Sequence, residues 1–401
     1  MPTLLQINVC CATKSTGKIC EDIALVAMKN GYECYMAYGR TYKPSKCHEI
    51  KIGNKLNVYE HYAEHRMFDN DGLASRFVTK KFLKQVDIIK PDIIHLHNIH
   101  DHYINYKMLF EYIIEHNIPV VWTQHDCWAF SGGCMYFDET GCEKWKSGCG
   151  SCPIKGMVDR SSHHYNLKKS LTSHISNLIM VPVSDWIAGL LRQSFMKDRA
   201  IITLKNGIDL NVFKPSQSNL RTELNIHADK TIVLGVACPW SKRKGMDDFI
   251  KLAEDKSLQI VLVGMTAKQK SALPSSIIAI ERTHNQQELA QYYTMADVFV
   301  NATYSDNYPT TNLEAMACGT PVITYNTGGS IEAVTPETGM IVEQGNIESL
   351  REAIHIMVSK DSEKRNKMSA DCVLRAKEFF DKDKCFEKYI ELYNKILKVN
   401  E

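Results

Sequence analysis

Two successive runs of short apolar segments, separated by helix-length amphipathic stretches, constrain this chain more than any other feature. In the first run, residues 4–10, 33–38, 93–97, 120–124, 180–184 and 201–205 read as strands, with an amphipathic helix from about 19 to 30 stopped by Gly31. The second run comprises 231–237, 260–264, 298–302 and 322–324. Strands this far apart cannot close as hairpins, so they need helical crossovers and form parallel sheets. A chain of 401 residues exceeds one ordinary core, and two α/β domains are expected. The polar stretch 215–230 separates the runs and reads as the linker. Near the end, Phe379, Phe386, Tyr389, Tyr393 and Ile396 recur at helical spacing.

The densest chemistry lies between residues 298 and 330. Asp306 and Glu314 bracket the start of a helix expected over 310–318. Pro309 suits the first helical position, while Gly319 and Pro321 end the helix. Backbone N–H groups and the helix dipole at such an N-terminus attract phosphate, which makes Thr310, Thr311 and Asn312 candidate donor contacts. Glu314, in the second turn, is within reach of a ribose diol. Gly328 and Gly329 offer a second backbone turn that can approach a ligand closely. Taken singly, Asp306 can equally cap the helix and Glu314 can equally be an exposed carboxylate. The order strand, acid, Pro, Glu, Gly, Pro, strand, Gly-Gly favours a nucleotide-diphosphate site.

This segment resembles the signature of the family 4 retaining glycosyltransferases, which is Glu, seven residues, Glu, then Ala-Met-Ala-x-Gly-x-Pro-Val. Here Glu314 is followed by Ala315-Met316-Ala317-Cys318-Gly319-Thr320-Pro321-Val322, and the first acid is Asp306, one methylene shorter. Any group that Asp306 touches must therefore lie closer or be reached through water. The resemblance implies the GT-B fold: two Rossmann-like, doubly wound domains facing a cleft, with the last helix crossing back to the N-terminal domain. The expected division is 1–212 for the acceptor domain, 213–380 for the nucleotide-sugar donor domain and 381–401 for the returning helix. It also implies front-face transfer of a hexosyl group from a nucleotide-diphosphate sugar to an acceptor hydroxyl. The resemblance implies further that no cofactor or catalytic metal is required and that Asp306 faces the donor sugar or its phosphate end. The family's usual setting is bacterial cell-surface polysaccharide assembly: exopolysaccharide, capsule or lipopolysaccharide.

Ligands of open parallel sheets bind beyond the carboxyl ends of the strands, where the other candidates fall. Lys242-Arg243-Lys244-Gly245 follows the strand at 231–237 and reads either as a solvated basic turn or as a diphosphate clamp. The resemblance assigns Lys244 to the leaving diphosphate. The arginine usual upstream is replaced by Cys238, which leaves Arg243 as its substitute. His125, after the strand at 120–124, is either structural or, as the family implies, lines the donor-sugar pocket. Gly17 follows the first strand and either admits a phosphate or sugar or merely turns the chain. A P-loop is excluded, because Ile19 stands where Ser or Thr is needed and the earlier glycine is missing. His95 and His97 share one strand face and read as packing or pocket wall. Asn206-Gly207-Ile208-Asp209 resembles the family's hinge at the domain junction.

Cys134, Cys142, Cys149 and Cys152 follow the spacing C-x7-C-x6-C-x2-C amid five glycines. Four thiolates suit tetrahedral zinc in a structural role. A redox Cys-x-x-Cys or plain free thiols are the alternatives.

A formal net charge of +2 argues against nucleic acid as a global partner. Apolar runs fall short of the ~20 residues that span a bilayer, and 1–10 reads as a strand without a leader, so a cytoplasmic protein with reduced thiols is expected. The segment 76–84 mixes Lys80, Lys81 and Lys84 with Phe77 and Phe82. It reads as an ordinary helix with a solvated lysine face or as a peripheral contact with the inner face of an anionic membrane. The expected partners are a nucleotide-sugar donor and a saccharide or lipid-linked saccharide acceptor. A sugar-nucleotide epimerase and a non-catalytic sugar-nucleotide-binding subunit are the alternative functions.

Overall fold

The computed structural model describes residues 1–400, with side chains through Lys398. The chain divides into two compact units. One comprises Met1–Lys205 with the segment from Cys385 onward; the other is Asn206–Lys384.

The N-terminal unit holds seven strands: β1 (Thr3–Asn8), β2 (Glu33–Tyr38), β3 (His48–Lys51), β4 (Ile93–Leu96), β5 (Val120–Gln124), β6 (Leu178–Pro182) and β7 (Ala200–Ile201). Their order is β3-β2-β1-β4-β5-β6-β7, and every pairing is parallel. Leu5 of β1 sits between Tyr35 and Ile94, and its neighbours Leu4 and Ile7 are likewise fully buried. Burial on both faces explains why the central strands read as unbroken apolar runs. The order reverses between β1 and β4, and ligands of such sheets bind at a reversal of this kind. The helix Lys382–Asn400 closes this core. Its Phe386, Tyr389, Tyr393 and Ile396 pack with Ile19, Ile23, Tyr32 and Met36. Two of its hydroxyls also reach the sheet, with Tyr393 Oη 2.6 Å from His95 Nδ1 and Tyr389 Oη 3.1 Å from Thr123 Oγ1.

The C-terminal unit holds β8 (Thr231–Val236), β9 (Leu258–Val263), β10 (Ile277–Ile280), β11 (Val298–Asn301), β12 (Val322–Tyr325) and β13 (Gly339–Val342). These six strands are ordered β10-β9-β8-β11-β12-β13, again all parallel, with the reversal between β8 and β11. The two segments that link the units run side by side: the Ile208 N–H donates to the Phe380 carbonyl at 2.8 Å, and Lys382 pairs with Asp209 at 2.8 Å.

Several expectations need correction. The units part at 205/206 and 384/385, not at 212/213 and 380/381. Residues 215–230 are not a linker but part of the C-terminal unit. Leu220 and Ile226 are buried there, and the Arg221 guanidinium gathers the carbonyls of His227, Ala228 and Lys230. The first helix begins at Lys14, so Gly17 lies in its first turns and not in a preceding loop. The strand expected at 201–205 is only Ala200–Ile201. Strands β3, β10 and β13 were not expected from the pattern.

Candidate active site

At the reversal between β8 and β11, two loops of the C-terminal unit meet. After β8, a short turn carries Lys242, Arg243 and Lys244 and ends at Gly245, whose φ is +73°. A Cβ on Gly245 would lie 2.2 Å from the Ala302 carbonyl oxygen, so only glycine lets this turn close on the end of β11. After β11, residues 302–309 lead into the helix Thr310–Ala317, with Pro309 in extended conformation at its N-cap. Across the contact the Lys244 ammonium binds the Asp306 carboxylate directly. Their side chains are 22% and 17% exposed, so the pair is partly shielded from solvent. Asp306 Oδ1 also accepts the Asn307 N–H at 2.9 Å, and its carbonyl accepts the Gly329 N–H at 3.0 Å. The Gly328 backbone passes so close that a Cβ there would lie 2.2 Å from the same carbonyl oxygen.

The neighbouring candidates divide into those that face the site and those that brace it. Glu314 is half-buried, and its Oε2 accepts the hydroxyl of buried Tyr293 at 2.9 Å, which fixes the carboxylate. Thr310 and Thr311 are half-buried at the helix start. Asn312 is fully buried, with its amide bonded to Asn301 and Ser330, so it ties the helix to β11 and faces no open space. The Arg243 guanidinium donates to the Ser305 carbonyl at 2.7 Å, and its own carbonyl accepts the Tyr304 N–H at 2.7 Å. Arg243 therefore holds the 302–309 loop against the basic turn. Ser305 Oγ, beside Asp306, is buried with no hydrogen bond. Two supporting groups escaped sequence reasoning. One is Tyr293, which lies outside the motif. The other is buried Asp248, which accepts the hydroxyls of Tyr304 at 2.9 Å and Tyr325 at 3.1 Å. An acid on the apolar face of Met246–Leu252 was the available sign.

In the N-terminal unit, His125 follows β5 and is half-buried. Its Nε2 lies 3.1 Å from His97 Nδ1, and His97 Nε2 lies 2.9 Å from Gln6 Oε1. Burial pushes the His125 imidazole down to about 4, so the ring is neutral at pH 7 and can either donate or accept. Gly17 is buried, and a Cβ on it would meet the Cys10 carbonyl oxygen at 3.1 Å.

Cys134, Cys142, Cys149 and Cys152 are all free thiols and line one cavity of about 30 Å³, with Phe137 and Trp145 in its wall. The Gly132 N–H donates to Cys149 Sγ at 3.2 Å. The four sulfurs share the cavity without closing to ligand spacing. Among the described residues, the group of three or more candidate ligand atoms lying within 4.8 Å of one another is His65, Asp71 and His102.

Residues 17–212 match Glycosyltransferase Family 4, and residues 216–371 match Glycosyl transferases group 1. An Escherichia coli K12 protein named for colanic acid biosynthesis, the glycosyl transferase WcaC, is 23% identical over 379 residues, 86% of this chain and 88% of that one. The capsular polysaccharide biosynthesis glycosyltransferase CapM of Staphylococcus aureus is 23% identical over 228 residues, 53% of this chain and 60% of that protein, less than two thirds of its length. Among solved structures, sucrose-phosphate synthase from Thermosynechococcus elongatus superposes with a TM-score of 0.73 at 18% identity, covering 100% of both chains. Anabaena HepE in complex with UDP superposes with a TM-score of 0.68 at 14% identity, covering 98% of this chain and 100% of that one. At these identities the structural likeness speaks for the fold alone.

Proposed function

The chain belongs to the family 4 glycosyltransferases and has their GT-B fold of two Rossmann-like domains, and from that premise we propose that it transfers a hexosyl group from a nucleotide-diphosphate sugar to an acceptor hydroxyl with retention and without a catalytic metal. The observation that carries this reading is the meeting of the Lys244–Asp306 pair with the N-terminus of Thr310–Ala317 at the β8/β11 reversal. As the sugar–phosphate bond breaks, charge grows on the departing diphosphate. The Lys244 ammonium and the first-turn amides at Thr310 and Thr311 stabilise that charge. Glu314, oriented by Tyr293, binds the ribose diol. Asp306 sets the position of Lys244 and faces the donor, and neutral His125 exchanges a hydrogen bond with a sugar hydroxyl. The test is titration with a panel of nucleoside diphosphates and their sugars, then incubation of the donor that binds with a saccharide pool. A new glycosidic bond of retained configuration, formed without added divalent cation, is expected. Inversion, or donor turnover with no acceptor product, overturns the reading.

The product belongs to cell-surface polysaccharide assembly, with a saccharide or lipid-linked saccharide acceptor met at the cytoplasmic face of the membrane. The helix Arg76–Ile89 supports a peripheral contact. Lys80, Lys81 and Lys84 are exposed beside Phe77 and Ile88, which are 81% and 82% exposed. Phe82 and Val86 anchor the opposite face. Binding to anionic vesicles that survives reversal of all three lysine charges counts against this contact.

The four-cysteine loop is assigned a structural zinc, with the thiols drawn together around the ion. Protein purified reduced and without chelator should carry zinc, and less of it after Cys134→Ser or Cys149→Ser. A zinc content near zero removes the assignment.

A further inference from the structure

We propose that His65, Asp71 and His102 form a second site for a divalent transition-metal ion, of the zinc and cobalt class, in the wall of a cavity in the N-terminal unit. Each side chain offers one ligand atom, and the three atoms lie within 4.8 Å of one another. They come from separate segments. His65 is in the last turn of the helix Lys55–Phe68, Asp71 is in the loop that follows, and His102 lies beyond β4. Two imidazoles and one carboxylate form a borderline donor set, suited to zinc and cobalt rather than to calcium or magnesium.

Three features hold this geometry. The His102 backbone is left-handed at φ +68°, next to Asp101 at φ +77°, and consecutive non-glycine residues in that region are maintained against local preference. The His102 ring packs against three rings of one helix: His61 at 5.3 Å, Tyr62 at 5.4 Å and His65 at 5.0 Å. Asp71 is buried, and the Trp128 indole N–H donates to its Oδ2 at 2.9 Å, the kind of outer contact that orients a carboxylate ligand. His65 adds an independent sign. Its Nδ1 is buried and takes no hydrogen bond, and Asp69 Oδ1 stands 3.8 Å away, too far to supply one. A buried ring nitrogen without a partner is costly, and in the tautomer that leaves a lone pair there a bound cation would satisfy it.

All three residues line a cavity of about 270 Å³, so three protein ligands would leave a coordination position facing open space. Lys155, also in that wall, is bound to Asp69, which offsets its charge near the site. The cysteine loop supplies none of these ligands, and the proposal does not depend on the donor-site chemistry.

The experiment is equilibrium dialysis of the full reduced chain against fixed free zinc, with metal counted per chain in wild type, His65→Gln, His65→Ala and His102→Ala. Loss of one zinc equivalent in the histidine variants is expected, or an apparent affinity weakened more than ~10-fold, the smaller of the losses seen when even an outer contact is removed. With cobalt, the wild-type minus His102→Ala difference spectrum should show weak ligand-field bands and no thiolate charge-transfer band. Melting curves identify any variant that fails to fold, and His65→Gln, polar and nearer to histidine in size than alanine, keeps the test open in that event. Wild-type metal content in folded His65 variants, or a difference spectrum carrying thiolate charge transfer, overturns the proposal.

Discussion

Lys244 and Asp306 lie 62 residues apart in sequence and form one ion pair at the carboxyl ends of adjacent strands. In this state the cation assigned to a departing diphosphate is neutralised by its own protein, so a phosphate has to compete with Asp306 for it. Removing either partner therefore acts in opposite directions on nucleotide binding. Lys244→Ala should weaken affinity for the nucleoside diphosphate and lower kcat by about 100-fold or more, the loss typical of one transition-state donor. Asp306→Asn should tighten the nucleoside diphosphate severalfold while lowering turnover of the sugar nucleotide. Titration calorimetry with the free diphosphate reads both. If Asp306→Asn weakens binding as much as Lys244→Ala does, the competition argument is wrong.

Tyr293 and Glu314 divide the work differently. Glu314→Ala should lose most turnover with an unchanged melting temperature. Tyr293→Phe removes only the hydroxyl that holds Glu314 Oε2, so KM for the sugar nucleotide should rise severalfold with kcat nearly constant. Steady-state kinetics on both variants checks this. A kcat effect in Tyr293→Phe equal to that in Glu314→Ala would place the tyrosine in the chemistry itself.

Gly245 tests how tightly the two loops of the site must approach. Gly245→Ala places a methyl 2.2 Å from the Ala302 carbonyl oxygen at a φ of +73°. Destabilisation by about 1–3 kcal/mol is expected, with weaker nucleotide binding because Lys244 moves. Gly31→Ala is the control: its φ is +85°, but nothing lies within 4 Å of the new methyl, so only backbone strain remains. Chemical denaturation curves that show equal losses for the two would mean that the close approach contributes nothing.

Acid sensitivity should reside in the N-terminal unit. Buried His164 is pushed down to about 4 by desolvation, as is His125, and desolvation likewise holds buried His95 and His97 well below the usual histidine range. Unfolded histidines titrate near 6.5. Between those values the unfolded chain binds protons that the fold refuses, so stability falls as pH falls from about 6.5 to about 4 and levels off above that window. His164 alone accounts for about 3 kcal/mol of this limb. Calorimetric melting at about pH 7.5 and about pH 4.5 should show a marked loss at the lower pH, which His164→Gln reduces. Equal stability at the two values would refute the neutral-histidine assignment.

Much of the architecture was legible because buried parallel strands need apolar side chains on both faces, and such runs stand out in β1, β4, β5, β8, β9 and β11. The edge strand β3 did not stand out: His48, Glu49 and Lys51 are exposed, so nothing apolar marks it. The polar segment 215–230 hid Leu220 and Ile226, two apolar anchors among many charges. Within the site, the helix start, Glu314 and the basic turn were readable as motifs. The bracing roles of Arg243 and Asn312 were not, since whether a polar group faces a ligand or a carbonyl depends on what folds against it.

Local pattern was enough to establish two parallel α/β sheets and a helix start after β11, because side-chain period and backbone capping are short-range properties. The pairing of Lys244 with Asp306, the clamp of Tyr293 on Glu314, and the convergence of His65, Asp71 and His102 belong to the folded chain alone. Strand order brings those groups together across tens of residues, and no local periodicity encodes which loop will lie beside which.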